Sequence, residues 1–335
     1  MSKCNIRIEF DRGDRAYRGG ETVSGNVVVQ ADKDVECEAL KIELYWQTHG
    51  KGNRDSKVIS TKSEPEQRWE ADLEYKYPFG FGLPARPLTY HGHYLNIDYY
   101  LQARANMAWA RDPKINEEII VLPGAEAVDE DSVQVEAGVS DESLGRKRKD
   151  IRDFIPKTVP GILAALIVLL GIAYYVPILG FVFFVGLIVY NKHIRSAWAE
   201  KKLGSVVADF EGGRVHPGDI IPVGLRLDKP GIAKVNAVSA KIEGQEICES
   251  GSGTDVRTYK HKLHDEKTSF ESSSPNEFRG EIKVPDTGAY TFHAPDNRII
   301  WTVTLYVDVP GWPDWQKSLP LTVVPKPPEQ TGDLA

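Results

Sequence analysis

The residues best placed to do chemistry in this 335-residue chain are two groups of imidazoles. His91 and His93 stand two apart in TYHGHY. Alternate positions on a strand share a face, so two such histidines can present nitrogen ligands to one zinc ion. No third ligand is visible near them in sequence. The second group is His261, His264, Asp265 and Glu266 in TYKHKLHDEKT, a spacing that suits a metal on one helical turn. That segment is polar, runs into a Ser-rich stretch and reads as a long hairpin loop. One reading is therefore a hydrolase or other metal-dependent enzyme using His91, His93, His261 and His264. The favoured reading gives all of them structural roles and expects no enzyme, with no catalytic, cofactor-binding or metal-ligating residue.

Other catalytic signatures are missing from the sequence. It has no nucleophile elbow, no P-loop and no dinucleotide fingerprint. RGGETVSG is not a phosphate cradle, because its glycines turn between strands and no helix follows. Net charge is −7, so no nucleic-acid partner is expected. Cys4, Cys37 and Cys248 show no paired spacing, which points to a reducing compartment. The opening MSKCNIRIEFDRGD lacks the apolar core of a secretory signal.

The elements that would hold these residues fall on either side of a long apolar insert. Val159 to Tyr190 is a run of 32 residues without a charge, in a chain that is 27% charged. As one helix of about 1.5 Å per residue it would measure about 48 Å, against a hydrocarbon core about 30 Å thick. Pro177, near its centre, removes a backbone donor and favours a break. Arg146, Lys147, Arg148, Lys149 and Arg152 precede the run, and Lys192 and Arg195 follow it. Basic residues mark the cytoplasmic side of a span, so basic flanks at both ends predict a hairpin that enters and leaves on the same side. A single tilted span and a buried hairpin in a soluble protein are the alternatives. The stretch from Glu126 to Glu142 has seven carboxylates and no basic residue, and reads as a solvated linker.

The two polar halves repeat each other. IRIEFDRGDRAYRGGETVSGNVVVQ finds a counterpart in VVADFEGGRVHPGDIIPVGLRLD, and Gly20-Glu21-Thr22 answers to Gly218-Asp219-Ile220. Later, YLNIDYYLQARANMAW pairs with RIIWTVTLYVDVPGW, and EEIIVLP with LPLTVVP. Matched positions stay about 198 to 202 residues apart, the mark of two copies of one domain. Short alternating strands at regular spacing predict a β-sandwich for each copy. Gly19, Gly20 and Gly218 are predicted to supply positive φ in tight turns.

Tyr17, Gly19, Gly20, Glu21, Val23, Gly25 and Val27 to Val29, followed by Phe81, Leu83, Pro84, Pro87, Tyr90 and Gly92, resemble the arrestin N-terminal domain pattern. The second half is similar more weakly. The resemblance implies tandem arrestin-like sandwiches and a role in scaffolding or trafficking. It departs from the family in the long insertion between the domains. The family's phosphate-sensing charged cluster has no residue-by-residue counterpart here, so phosphate-triggered activation is not implied.

The expected organisation is all-β: two tandem arrestin-like (immunoglobulin-like) sandwiches with an inserted α-helical membrane hairpin. Its parts are an N-terminal sandwich at 1–123, an acidic then basic linker at 124–157, a membrane hairpin at 158–191 and a basic connector at 192–202. A C-terminal sandwich at 203–326 and a disordered tail at 327–335 complete it. The expected function is that of a non-catalytic adaptor, anchored in the bilayer through residues 159–190, with both sandwiches cytoplasmic and other membrane proteins as partners. A lipid or small-ligand carrier using the gap between the sandwiches is a further alternative. The sequence leaves the oligomeric state open.

Overall fold

A computed structural model describes residues 4–107, 112–124, 203–210, 213–227, 235–274, 276–310 and 314–327. The apolar run 159–190, Pro177, the basic flanks, the acidic stretch and the tail from 328 on lie outside the described residues. Among the described residues no helix is long and apolar enough to cross a membrane.

The first half forms two facing sheets. One is three-stranded: β1 (Cys4–Phe10), β3 (Thr22–Ala31) and β7 (Glu74–Gly82), in the order β1-β3-β7. The other runs β2 (Ala16–Arg18), β10 (Lys114–Leu122), β9 (Leu95–Met107), β4 (Val35–Gly50) and β5 (Ser56–Glu64). β6 (Gln67–Trp69) pairs with β4, and β8 (Tyr90–His91) pairs with β9. The period of two in β9 decides its faces. Leu95, Ile97, Tyr99, Leu101, Ala103, Ala105 and Met107 are buried against the first sheet, and most alternate residues look outward.

The second half repeats this order with the strands advanced by ten, save for the sixth, which moves to the smaller sheet. Its smaller sheet is β11 (Val206–Asp209), β13 (Ile220–Leu227), β17 (Glu277–Lys283) and β16 (Glu271–Ser274). Its larger sheet is β12 (Arg214–Val215), β20 (Trp315–Val323), β19 (Asn297–Asp308), β14 (Ala237–Ser250) and β15 (Arg257–Ser269), with β18 (Phe292–His293) on β19. Both halves open their larger sheet with a short parallel pairing, β2 on β10 and β12 on β20.

The duplication extends to single hydrogen bonds. Gly20 N donates to Leu83 O and Leu83 N to Glu21 O; Gly218 N donates to Val284 O and Val284 N to Asp219 O. Thr89 Oγ1 accepts from Val121 N, and Thr291 Oγ1 accepts from Val323 N, at 2.9 Å in each case. Gly20 and Gly218 take φ of 87° and 82°, where a side chain is strained. Gly19 differs from expectation: its need is space, since a Cβ there would lie 3.0 Å from the Ala85 backbone.

One segment departs from the sequence reading. The stretch holding His261 and His264, expected as a loop, is strand β15, paired with β14 along its length. It is an edge strand, mostly exposed on both faces, so it carries no alternating apolar residues to announce itself.

Candidate functional site

The most elaborate polar construction among the described residues is the seam where the two sandwiches meet. It is built at three points, each from residues far apart in sequence.

The first point is centred on Glu246. β14 pairs with β19 in unbroken register, which puts Glu246 on the face of Ile242, and its side chain is fully buried. The chain between β8 and β9 folds over it. Tyr90 Oη donates to Glu246 Oε1 at 2.6 Å, His93 N to the same oxygen at 3.0 Å, and Tyr94 N to Oε2 at 2.7 Å. These donors are a phenol and two amides. Hydrogen bonds to both oxygens are the means by which a buried acidic side chain is tolerated. Burial, then the bond to Glu246, raises the Tyr90 phenol above its usual range. Beside this knot the His93 and His261 rings stack across the seam with centroids 4.1 Å apart.

The second point is centred on Asn297, the first residue of β19, which is 1% exposed. Its Nδ2 donates to Asp55 Oδ2 and Asn53 O, each at 2.7 Å, and approaches Thr48 Oγ1 at 3.1 Å. Asp296 N donates to Asp55 Oδ2 at 3.1 Å. The β4–β5 turn thus grips the turn before β19. Burial raises the Asp55 carboxyl above its ordinary value; the bonds from Asn297 and the Asp296 amide only partly oppose this. Asn53 extends the grip: its N donates to Glu249 O at 2.8 Å, its Nδ2 to Gly251 O at 2.9 Å, and its Oδ1 accepts from Gly251 N at 3.1 Å.

The third point is mixed. Trp46 meets Phe292 edge-on with centroids 5.7 Å apart, and Arg86 donates to Thr291 O.

The four histidines considered from sequence separate. His93 and His261 meet at the seam. His91 turns instead to Asp98, with Nε2 2.6 Å from Oδ1. His264 lies beside Glu266 and Trp301. They do not form one four-histidine centre. A third ligand-type partner for His91 does exist, contrary to expectation: Asp98 and Glu118 come from neighbouring strands, a placement invisible until register is known. The seam residues Asn53, Asp55, Glu246 and Asn297 were also missed. A signal existed for Glu246, a carboxylate in phase with the buried Ile242 and Cys248. An open hollow of about 900 Å³, lined by Asp209, Phe210, Ile221, Thr268 and Arg279 among others, belongs to the second sandwich and not to the gap between the two.

Residues 6–127 match the family described as arrestin (or S-antigen), N-terminal domain. No curated protein matches the chain. Among solved structures, Spo0M, the sporulation control protein from Bacillus subtilis, aligns with a TM-score of 0.32 and 18% identity. That alignment covers 36% of this chain and 50% of Spo0M, so it spans about half of that protein's length. The N-terminal sandwich is arrestin-like, and this suggests a non-catalytic adaptor or scaffold role.

Proposed function

We infer that the protein is a membrane-anchored adaptor whose two sandwiches act as one body on one face of a bilayer. The apolar run 159–190 is the anchor, entering and returning between the basic groups Arg146–Lys149 with Arg152, and Lys192 with Arg195. The observation that carries this reading is the seam. Asn53 and Gly251 bond at 2.9 Å and Tyr90 and Glu246 at 2.6 Å, which supports both halves sharing one aqueous space. A single crossing between them would place those partners on opposite sides of about 30 Å of hydrocarbon. The contact between the halves supports an apolar insert that returns to the side it entered. The basic flanks favour the cytoplasmic face.

Such a body binds proteins through sheet edges and loops. Among the described residues β5 and β15 are edge strands of the two larger sheets, and an extended segment of a partner can add to them. Confinement by the anchor raises the effective concentration toward other membrane proteins.

The test is a topology map. Val58 and Ile220 are exposed, one in each sandwich. Single cysteines placed there, V58C and I220C, are expected to label from the same side in sealed vesicles, with the chain in the membrane fraction. Labelling from opposite sides, or recovery of the intact chain in detergent-free soluble extract, overturns the reading.

A further inference from the structure

We propose that the outer face of the larger N-terminal sheet carries a binding site for one divalent transition cation of the zinc class, made by His91, Asp98 and Glu118, with its fourth position open to solvent.

The register builds this site. One edge of β9 is shared by two strands placed end to end: β8 pairs at Asn96 and Ile97, and β10 pairs from Tyr99 onward. Asp98 stands at the junction, on the same outward face as Asn96 and Tyr100. His91 opposes Asn96 and Glu118 opposes Tyr100, so both are diagonal neighbours of Asp98. On the other edge of β9, β4 sets Gln47 opposite Asp98 and His49 opposite Asn96. Three ligand-type side chains from three strands therefore surround one position, and His49 on a fourth strand stands beside Asp98. His91, Asp98 and Glu118 each bring a ligand atom within 4.8 Å of the other two. His49 Nε2 is 3.8 Å from Asp98 Oδ2 and 3.1 Å from the Tyr100 hydroxyl.

The three ligand atoms lie within 4.8 Å of one another, and small side-chain shifts bring them to the spacing a tetrahedral ion needs. With bonds of about 2.0–2.1 Å, ligand atoms sit roughly 3.3 Å apart. His91 and Asp98, at 2.6 Å, share a hydrogen bond that the ion replaces. The neutral His91 ring then carries its proton on Nδ1, leaving Nε2 free to ligate. No bond is made or broken beyond this tautomer change and coordination.

Burial supplies the anchor and the entrance. Asp98 is 6% exposed, and its side-chain partners are the two imidazoles. The His91 side chain is 61% exposed, which opens the site to solution. An imidazole nitrogen with two carboxylate oxygens suits zinc and its neighbours better than calcium or magnesium, which favour all-oxygen sets. The sheet holds all three strands, so little ordering is needed on binding.

Cobalt(II) is the probe, because a tetrahedral cobalt site absorbs visible light strongly. The full chain, stripped with chelator, is titrated with cobalt and then with zinc in competition. The expected result is a saturable visible band at one ion per chain, displaced by zinc. His91→Ala and Glu118→Gln should each weaken binding by about tenfold or more, and the pair should abolish the band. Glu118 is exposed, so its variant is expected to fold, which tryptophan fluorescence checks. His93→Gln and His261→Gln leave the band unchanged. A chain with no saturable band, or one whose band depends on His93 and His261 and survives His91→Ala, overturns the proposal.

Discussion

Tyr90 and Glu246, 156 residues apart, share a 2.6 Å hydrogen bond that ties the two sandwiches together around a buried carboxylate. Removing the carboxylate leaves Tyr90 Oη and the amides of His93 and Tyr94 without their acceptor. Glu246→Ala is expected to destabilise the full chain by about 3 kcal/mol, and Tyr90→Phe by about 1.5–3 kcal/mol. Because both substitutions break the same bond, the double variant should cost less than their sum, with a coupling of about 1 kcal/mol or more. Thermal unfolding followed by tryptophan fluorescence measures all three. Strict additivity would mean that the bond does not couple the halves.

Gly92 makes the same knot sensitive to a single methyl group. A Cβ there would fall 1.8 Å from Glu246 Oε1, inside any allowed contact. Gly92→Ala is expected to open the seam at this point and to lower stability by about 1–3 kcal/mol, the usual range for overpacking. Gly82→Ala is the control, since nothing lies within 4 Å of its Cβ position. Limited proteolysis should cut the Gly92→Ala chain faster, and the Gly82→Ala chain at the rate of the parent.

Asp55 gives the seam an acid–base signature of unusual sign. Its carboxyl is raised by burial, so between its unfolded value near 3.8 and its higher folded value the folded chain holds a proton that the unfolded chain has released. Stability from this group is therefore fully present below the unfolded value and is lost as pH rises through the folded one. Carboxyls held low by partners, such as Glu74 beside Arg7 and Asp112 beside Arg104, act oppositely and lose stability as pH falls. The Asp55 contribution must be read by difference. Asp55→Asn removes it, so parent stability minus variant stability should decline as pH rises from about 4 toward neutrality, then flatten. A flat difference across that window would show that the carboxyl titrates as if exposed.

The duplicated fold was legible because its signals are local. Gly20 and Gly218 mark equivalent turns, and the alternation of Leu95, Ile97, Tyr99 and Leu101 writes a half-buried strand directly. β15 was not legible, because an edge strand exposed on both faces needs no apolar period. The seam was illegible for another reason. Asn297 meets Asp55, and Tyr90 meets Glu246, only where the two halves come together, and neither half's sequence records the other's surface. His91 and Asp98 are close in sequence, yet Glu118 joins them through a register that no spacing rule supplies.

The three cysteines turn the seam into something that can be watched. Cys4, Cys37 and Cys248 are buried, and burial pushes each thiol up to about 11. At pH 7.5 roughly one in three thousand of each is thiolate, and the thiolate is the species that reacts. The folded chain should resist maleimide for minutes and take up three labels once unfolded. The sites are unequal, however. Cys4 and Cys37 lie in the first sandwich, whereas Cys248 Sγ points at Tyr94 O across the seam, 3.6 Å away. Opening the seam without unfolding either sandwich exposes Cys248 alone. Gly92→Ala and Glu246→Ala should therefore speed labelling of Cys248, read by peptide mass, while Cys4 and Cys37 keep the rate of the parent. If all three accelerate together, the halves unfold as one cooperative unit and the seam does not open by itself.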